Sequence, residues 1–157
     1  MEKRGLIVNT LLHTPAFGAY AVSSLTLVGL LHFLAFRTGG VRTNARAVVN
    51  PEDVRVYAGA SVVEVEHPDV QRLKRAHLNL LENSVPFFVV GFLFSLTEPS
   101  LLAAASLYGM FVASRVLHAV VYLKRRQPLR SAAWFVGVVS IVVMTGFVAW
   151  SLVSASV

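Results

Sequence analysis

The sequence predicts an all-α integral membrane protein built as an up-down bundle of four helices, and three observations predict it. Of its 157 residues, 55% are hydrophobic and 14% charged, with a mean hydropathy of +0.65, which is too apolar for a soluble domain of this size. Four stretches, at about 15–36, 77–96, 100–123 and 128–153, are each long enough to cross roughly 30 Å of hydrocarbon as a helix. The connections at 97–99 and 124–127 are so short that the helices they join must be antiparallel neighbours. Residues 1–157 form one domain, with no internal repeat.

Before the first span, Lys3-Arg4 and an apolar run have the look of a signal peptide. Asn9, Thr10, His13 and Pro15 interrupt that run, and the apolar segment after it is long enough to stay in the bilayer. The connection at 37–76 then carries seven Lys/Arg: Arg37, Arg42, Arg46, Arg55, Arg72, Lys74 and Arg75. Within it, Asn50-Pro51-Glu52-Asp53 has a capping residue, a proline at the first helical position and acids in the first turn, so a short helix should run to about Tyr57 and end at Gly59. Residues 62–66 alternate apolar and acidic side chains but are too few to define a strand.

His67-Pro68-Asp69 restarts a helix that nothing breaks before the end of the second span. At about 29 residues it would be roughly 43 Å long, so its first turns should project into the headgroup zone. Pro86 has no N–H for the Glu82 carbonyl, which predicts a kink beside the polar face. Between the third and fourth spans stand Lys124, Arg125 and Arg126, with Arg130 just inside the last helix, whereas the other side of the membrane has only Lys3 and Arg4. The bias puts both basic connections in the cytoplasm and both termini on the opposite side. It also accounts for the net charge of +6 without a nucleic-acid partner.

Polar residues recur at helical spacing inside these spans. Arg75, Asn79 and Glu82 share one face of the second helix, and Arg115, His118 and Tyr122 one face of the third. An ionisable group at membrane depth costs roughly 2.5–3.5 kcal/mol, so such faces turn toward protein or a wet cavity and mark a site. Arg115 is the deepest charge, and the rule that buried charges are paired predicts an ion pair with Glu82. His118 reads either as a hydrogen-bonded core histidine or as an acid-base group, and Tyr122 either as a belt anchor or as a site residue.

In the fourth span, Pro128 at the first helical position places Arg130 in the first turn, at the positive end of the helix dipole. A cation there is disfavoured unless an anion is close, and backbone N–H groups, the guanidinium and the Ser131 hydroxyl could together hold a carboxylate or a thiolate. The bland alternative is an arginine that only fixes topology. The chain has no cysteine, so any sulfur chemistry must use a ligand's thiol, and no thiolate metal site can form.

Asn50-Pro51-Glu52-Asp53, the run Arg75-Ala76-His77-x-Asn79-x-x-Glu82, and Arg115-x-x-His118-x-x-x-Tyr122-Leu123 followed by Pro128-x-Arg130-Ser131 resemble the MAPEG family of membrane-associated proteins in eicosanoid and glutathione metabolism. The likeness is strongest to its branch of microsomal glutathione transferases and prostaglandin E synthases, and it runs from about Arg42 to Val153. It implies a homotrimer with glutathione as cosubstrate at subunit interfaces on the cytoplasmic side, and no metal. By position, Arg42, Arg75, Asn79, Glu82, His118, Tyr122, Arg130 and Ser131 would line the glutathione site, and Asp53 would orient Arg130. Leu80 stands where the family motif usually has Asp. Leu78 replaces an arginine and Trp134 a tyrosine of the prostaglandin synthases, and Leu117 a tyrosine of the transferases. The resemblance implies a glutathione transferase acting on hydrophobic electrophiles, with reduction of lipid hydroperoxides a further activity. A glutathione-dependent lipid endoperoxide isomerase and a non-catalytic lipid-binding or scaffolding protein are the alternatives.

Overall fold

The structure, a computed structural model, describes residues 12–156. The readings of Lys3, Arg4 and the run after them lie outside the described residues. Four helices are long and apolar enough to cross a membrane: α1 (Pro15–Ala45), α2 (Pro68–Leu96), α3 (Leu101–Leu123) and α4 (Gln127–Ser154). Their starts are locally encoded. Thr14 Oγ1 accepts from the Phe17 amide at 3.3 Å, with Pro15 next to it in the first turn. His67 Nδ1 accepts from Asp69 N before Pro68-led α2, and Ser100 Oγ accepts from Ala103 N at the head of α3, each at 3.3 Å.

The 29-residue α2 has the length the sequence predicts and runs unbroken through Pro86. The first helix is longer than predicted. It continues past Phe36 to Ala45, so the non-helical connection begins at Arg46 rather than Arg37. Each of Gly39 and Gly40 disfavours this by about 1 kcal/mol relative to alanine, but tertiary contacts outweigh them. Val41 packs on the core, and Arg42 is tied to Glu66 at 2.6 Å. Arg46 ends the helix in the left-handed region at φ 49°, its amide bonded to Arg42 O and Thr43 O.

The segment after Asn50 is a 3₁₀ turn (Pro51–Arg55) rather than an α-helix, and the Asn50 side chain makes no cap bond. Its Nδ2 donates instead to Asp53 Oδ2 at 3.3 Å. Gly59, at φ 75°, turns the chain as expected. A two-residue parallel ladder then closes the loop, β1 (Ala47–Val48) beside β2 (Ser61–Val62), with Val48 fully buried beneath it.

Helices α2 and α3 each pack on all three others, and α1 and α4 pack mainly on that pair. The centre is aromatic: Phe87 and Phe111 stack at 4.5 Å, and Tyr108 meets Phe87 and Phe94 edge-on. Two phenols tie this cluster to the α2 backbone. Tyr108 donates to Gly91 O at 2.8 Å and Tyr20 to Phe88 O at 3.0 Å. Gly91 lets that ring pack close, because a Cβ there would stand 3.2 Å from the Tyr20 ring and press it aside. Replacing Tyr108 with Phe removes one such bond and leaves a buried carbonyl that still has its helix partner. A loss of about 0.5–1.5 kcal/mol is expected, read as a lower thermal midpoint of the detergent-solubilised protein.

Candidate functional site

Three helices meet around a cleft of about 270 Å³ lined by Asn79 of α2, His118 and Tyr122 of α3, and Arg130, Ser131 and Trp134 of α4. His118 and Tyr122, one turn apart on α3, set their rings 5.7 Å apart. The Arg130 guanidinium lies over the Tyr122 ring, 4.8 Å from its centroid, where the π face holds the cation by roughly 0.5–2 kcal/mol and leaves its N–H edges free. Ser131 is exposed, whereas His118 is buried. The Asn79 Oδ1 is buried and has no hydrogen-bond partner among the described residues. The first amides of α4 are also uncapped by a side chain, because Arg126 at the N-cap makes no such bond. The cleft thus offers a cation, a hydroxyl and a helix N-terminus to an anion, and an idle acceptor to a donor.

Behind this cleft the expected Arg115–Glu82 ion pair does not form within the chain. Arg115 is 1% exposed and turns to α4, where Nη2 donates to the carbonyls of Ala133 at 3.0 Å and Trp134 at 3.1 Å. Its Nε donates to Ser114 Oγ at 3.2 Å, and its face rests 5.5 Å from the Phe111 centroid. Gly137 makes the space: a Cβ there would overlap Nη2 and stand 2.9 Å from Cζ and 2.8 Å from Ser114 Oγ. Glu82 lies instead on the exposed face of α2 and makes no ion pair among the described residues.

The remaining site residues gather elsewhere. A recess of about 380 Å³ is lined by Arg42, Asn50, Asp53, Glu64, Glu66 and Lys74, among others. Within one chain Asp53 therefore does not meet Arg130; the two line different recesses. Arg42 and Lys74 converge on Glu66 at 2.6 and 2.9 Å. Arg75 is exposed and donates to Gln71 Oε1 at 3.3 Å. Sequence reasoning missed Glu66, Gly137 and Ser114. Glu66 stands just before a helix start and reads as a solvated acid, and a mid-helix glycine facing a neighbouring arginine has no sequence signature. Among the described residues no group of three or more His, Asp or Glu side chains is placed to hold a metal ion.

The MAPEG family profile matches residues 20–150. The chain belongs to the MAPEG family. It is 37% identical to the prostaglandin E synthase of Homo sapiens over 77% of this chain and 80% of that one. It is 38% identical to microsomal glutathione S-transferase 1 of Mus musculus over 78% and 79%, and 34% identical to that of Bos taurus over 83% and 86%. With four helices able to cross a bilayer and membership of MAPEG, the chain is a multi-pass integral membrane protein.

Glu66 gives this MAPEG chain a pH dependence. Burial pushes its carboxyl upward, but hydrogen bonds from Lys74 and Arg42 outweigh that and hold the pKa below its ordinary value of 4.5. A depressed folded-state pKa contributes stability that is fully present above the unfolded value and is lost as pH falls through the folded one. The thermal midpoint should therefore drop as pH is lowered below about 4.5, and Glu66→Gln should lower the midpoint at neutral pH and flatten that drop. Parallel curves for parent and variant would show that the clamp adds nothing.

Proposed function

We propose that the protein is a membrane-bound glutathione transferase that conjugates the glutathione thiolate to hydrophobic electrophiles dissolved in the bilayer. The observation that carries this reading is the convergence of Arg130, Ser131, His118, Tyr122 and Asn79 on one cleft at the start of α4, in a chain similar to both glutathione transferases and prostaglandin E synthases. Arg130 and the uncapped helix start stabilise the sulfur anion, Ser131 donates to it, and the thiol proton leaves to solvent. The sulfur then forms a bond to the electrophilic carbon as the leaving group departs with its electron pair. The same anion can attack the peroxide bond of a lipid hydroperoxide, taking one oxygen as glutathione sulfenic acid while the lipid leaves as the alcohol, and a second glutathione thiol then condenses with the sulfenic acid to give the disulfide and water.

The exposed Glu82 and Arg75 support assembly with neighbouring copies, which family membership makes a homotrimer in this reading. A carboxylate on the outer face of a spanning helix is costly against lipid, and a neighbouring copy would cover it. Glutathione brings two carboxylates and an ammonium, which match Arg42, Arg75 and Glu82 of one copy facing the Arg130 cleft of the next, with Asp53 reaching Arg130 across the same interface. Arg42 to Arg75 and Lys124 to Arg126 are the cytoplasmic side of this assembly, and both termini lie opposite. The prostaglandin E synthase relatives support a second reading, isomerisation of a lipid endoperoxide by the same thiolate without net conjugation, which product analysis separates from the first.

Thiolate absorbance titrated with glutathione in detergent tests the mechanism. Arg130→Ala is expected to raise the bound thiol's pKa by about one unit, or roughly 1.4 kcal/mol; equal thiolate in parent and variant would remove Arg130 from the chemistry. Glu82→Gln should weaken glutathione binding by about tenfold to a hundredfold, as expected for loss of a charge-assisted bond of roughly 1.5–3 kcal/mol, measured as the dissociation constant. No thermal stabilisation of the parent by glutathione would leave only a lipid-binding or scaffolding role.

A further inference from the structure

The guanidinium of Arg115 is a strongly polar group, buried inside the bundle, that the proposed chemistry does not use. It lies fully inside the protein, has no carboxylate partner among the described residues, and leaves its Nη1 without any hydrogen-bond partner among them. Such a group is destabilising where it stands, so packing does not explain it. What it touches does. Both Nη2 bonds end on backbone carbonyls of α4, at Ala133 and Trp134, which lie within one turn of Arg130 and Ser131.

We infer that Arg115 is a positioning residue, a bolt from α3 into the backbone of α4 that sets where Arg130 and Ser131 stand over Tyr122 and His118, and that Gly137 is its socket. Three features carry this. The bonds go to main-chain atoms, so they restrain the rotation and depth of the helix itself rather than one side chain. Arg115 shares its α3 face with His118 and Tyr122, which line the opposite wall of the cleft, so one side chain references both walls to each other. A Cβ at Gly137 would overlap Nη2 and crowd Cζ at 2.9 Å, so the absence of a side chain there is what admits the guanidinium. An arginine fork reaches two carbonyls from one nitrogen and a hydroxyl from another, which an apolar side chain of similar length cannot do.

The catalytic consequence rests on the glutathione reading, but the bolt itself can be measured without a ligand. The chain has two tryptophans, so a Trp150→Phe background leaves Trp134, whose carbonyl Arg115 holds, as the sole emitter. In that background Arg115→Met, Gly137→Ala and their double variant are compared for acrylamide quenching of Trp134, and for the pKa of bound glutathione by thiolate absorbance. Gly146→Ala serves as control, because it adds the same methyl to α4 where nothing stands within 4 Å. Gly137→Ala keeps every charged residue, so the test survives if Arg115→Met does not fold.

Both single variants are expected to change Trp134 quenching and raise the thiol pKa by about one unit, a roughly tenfold loss of thiolate at a pH below that pKa. The double variant should match Arg115→Met, since no guanidinium remains to be displaced, and Gly146→Ala should match the parent. Unchanged Trp134 quenching in both single variants, or additive effects in the double, would overturn the bolt. A change in Trp134 quenching with no thiolate in the parent would uphold the bolt and overturn the glutathione reading instead.

Discussion

Helix carbonyls are the acceptors on which this bundle hangs its buried donors. In hydrocarbon no water is available to satisfy an N–H or O–H, and an unpaired polar group there is strongly penalised. Among the described residues three side chains cross between helices and solve the problem the same way. Tyr20 reaches Phe88 O, Tyr108 reaches Gly91 O, and Arg115 reaches Ala133 O and Trp134 O. The serines and threonines of the spans, such as Ser84, Ser140 and Thr145, bond back to their own helices instead and join nothing. The crossing donors therefore fix how the helices sit, and glycine is placed where two of them land: Gly91 beneath Tyr20 and Gly137 beneath Arg115.

This arrangement separates two arginines that look alike in sequence. Arg115 spends its donors on α4 carbonyls and on Ser114 and is closed to solvent. Arg130 rests on the face of Tyr122, half-buried at the mouth of the cleft, with no side-chain hydrogen bond or ion pair among the described residues. A guanidinium held only by an aromatic ring can still turn its N–H fork to an incoming anion. The deep arginine organises the scaffold and the shallow one meets the ligand.

The connection between α1 and α2 has a different logic, because it lies outside the spans and can use charge pairs. Glu66 gathers Arg42 from the end of α1 and Lys74 from the second turn of α2. The two-residue ladder of β1 and β2 and the cation over Tyr57 hold the loop against the same point. A segment that reads as a basic linker thus becomes a folded cap over the end of the bundle.

Much of this was legible in the chain itself. Apolar length located the four spans, His67-Pro68 located the start of α2, 3.6-residue periodicity put His118 with Tyr122, and Pro128 predicted that Arg130 and Ser131 would open the last helix. Those features are carried by side chains, each of which has its own chemistry and spacing, so a sequence displays them. Tertiary structure alone decided that Arg115 answers to carbonyls of its own chain rather than to its Glu82, that Gly137 makes room for it, that α1 runs on to Ala45, and that within one chain Asp53 shares a recess with Arg42 rather than with Arg130. Backbone carbonyls are the same at every residue and a cavity belongs to no residue at all, so neither is written in the order of side chains.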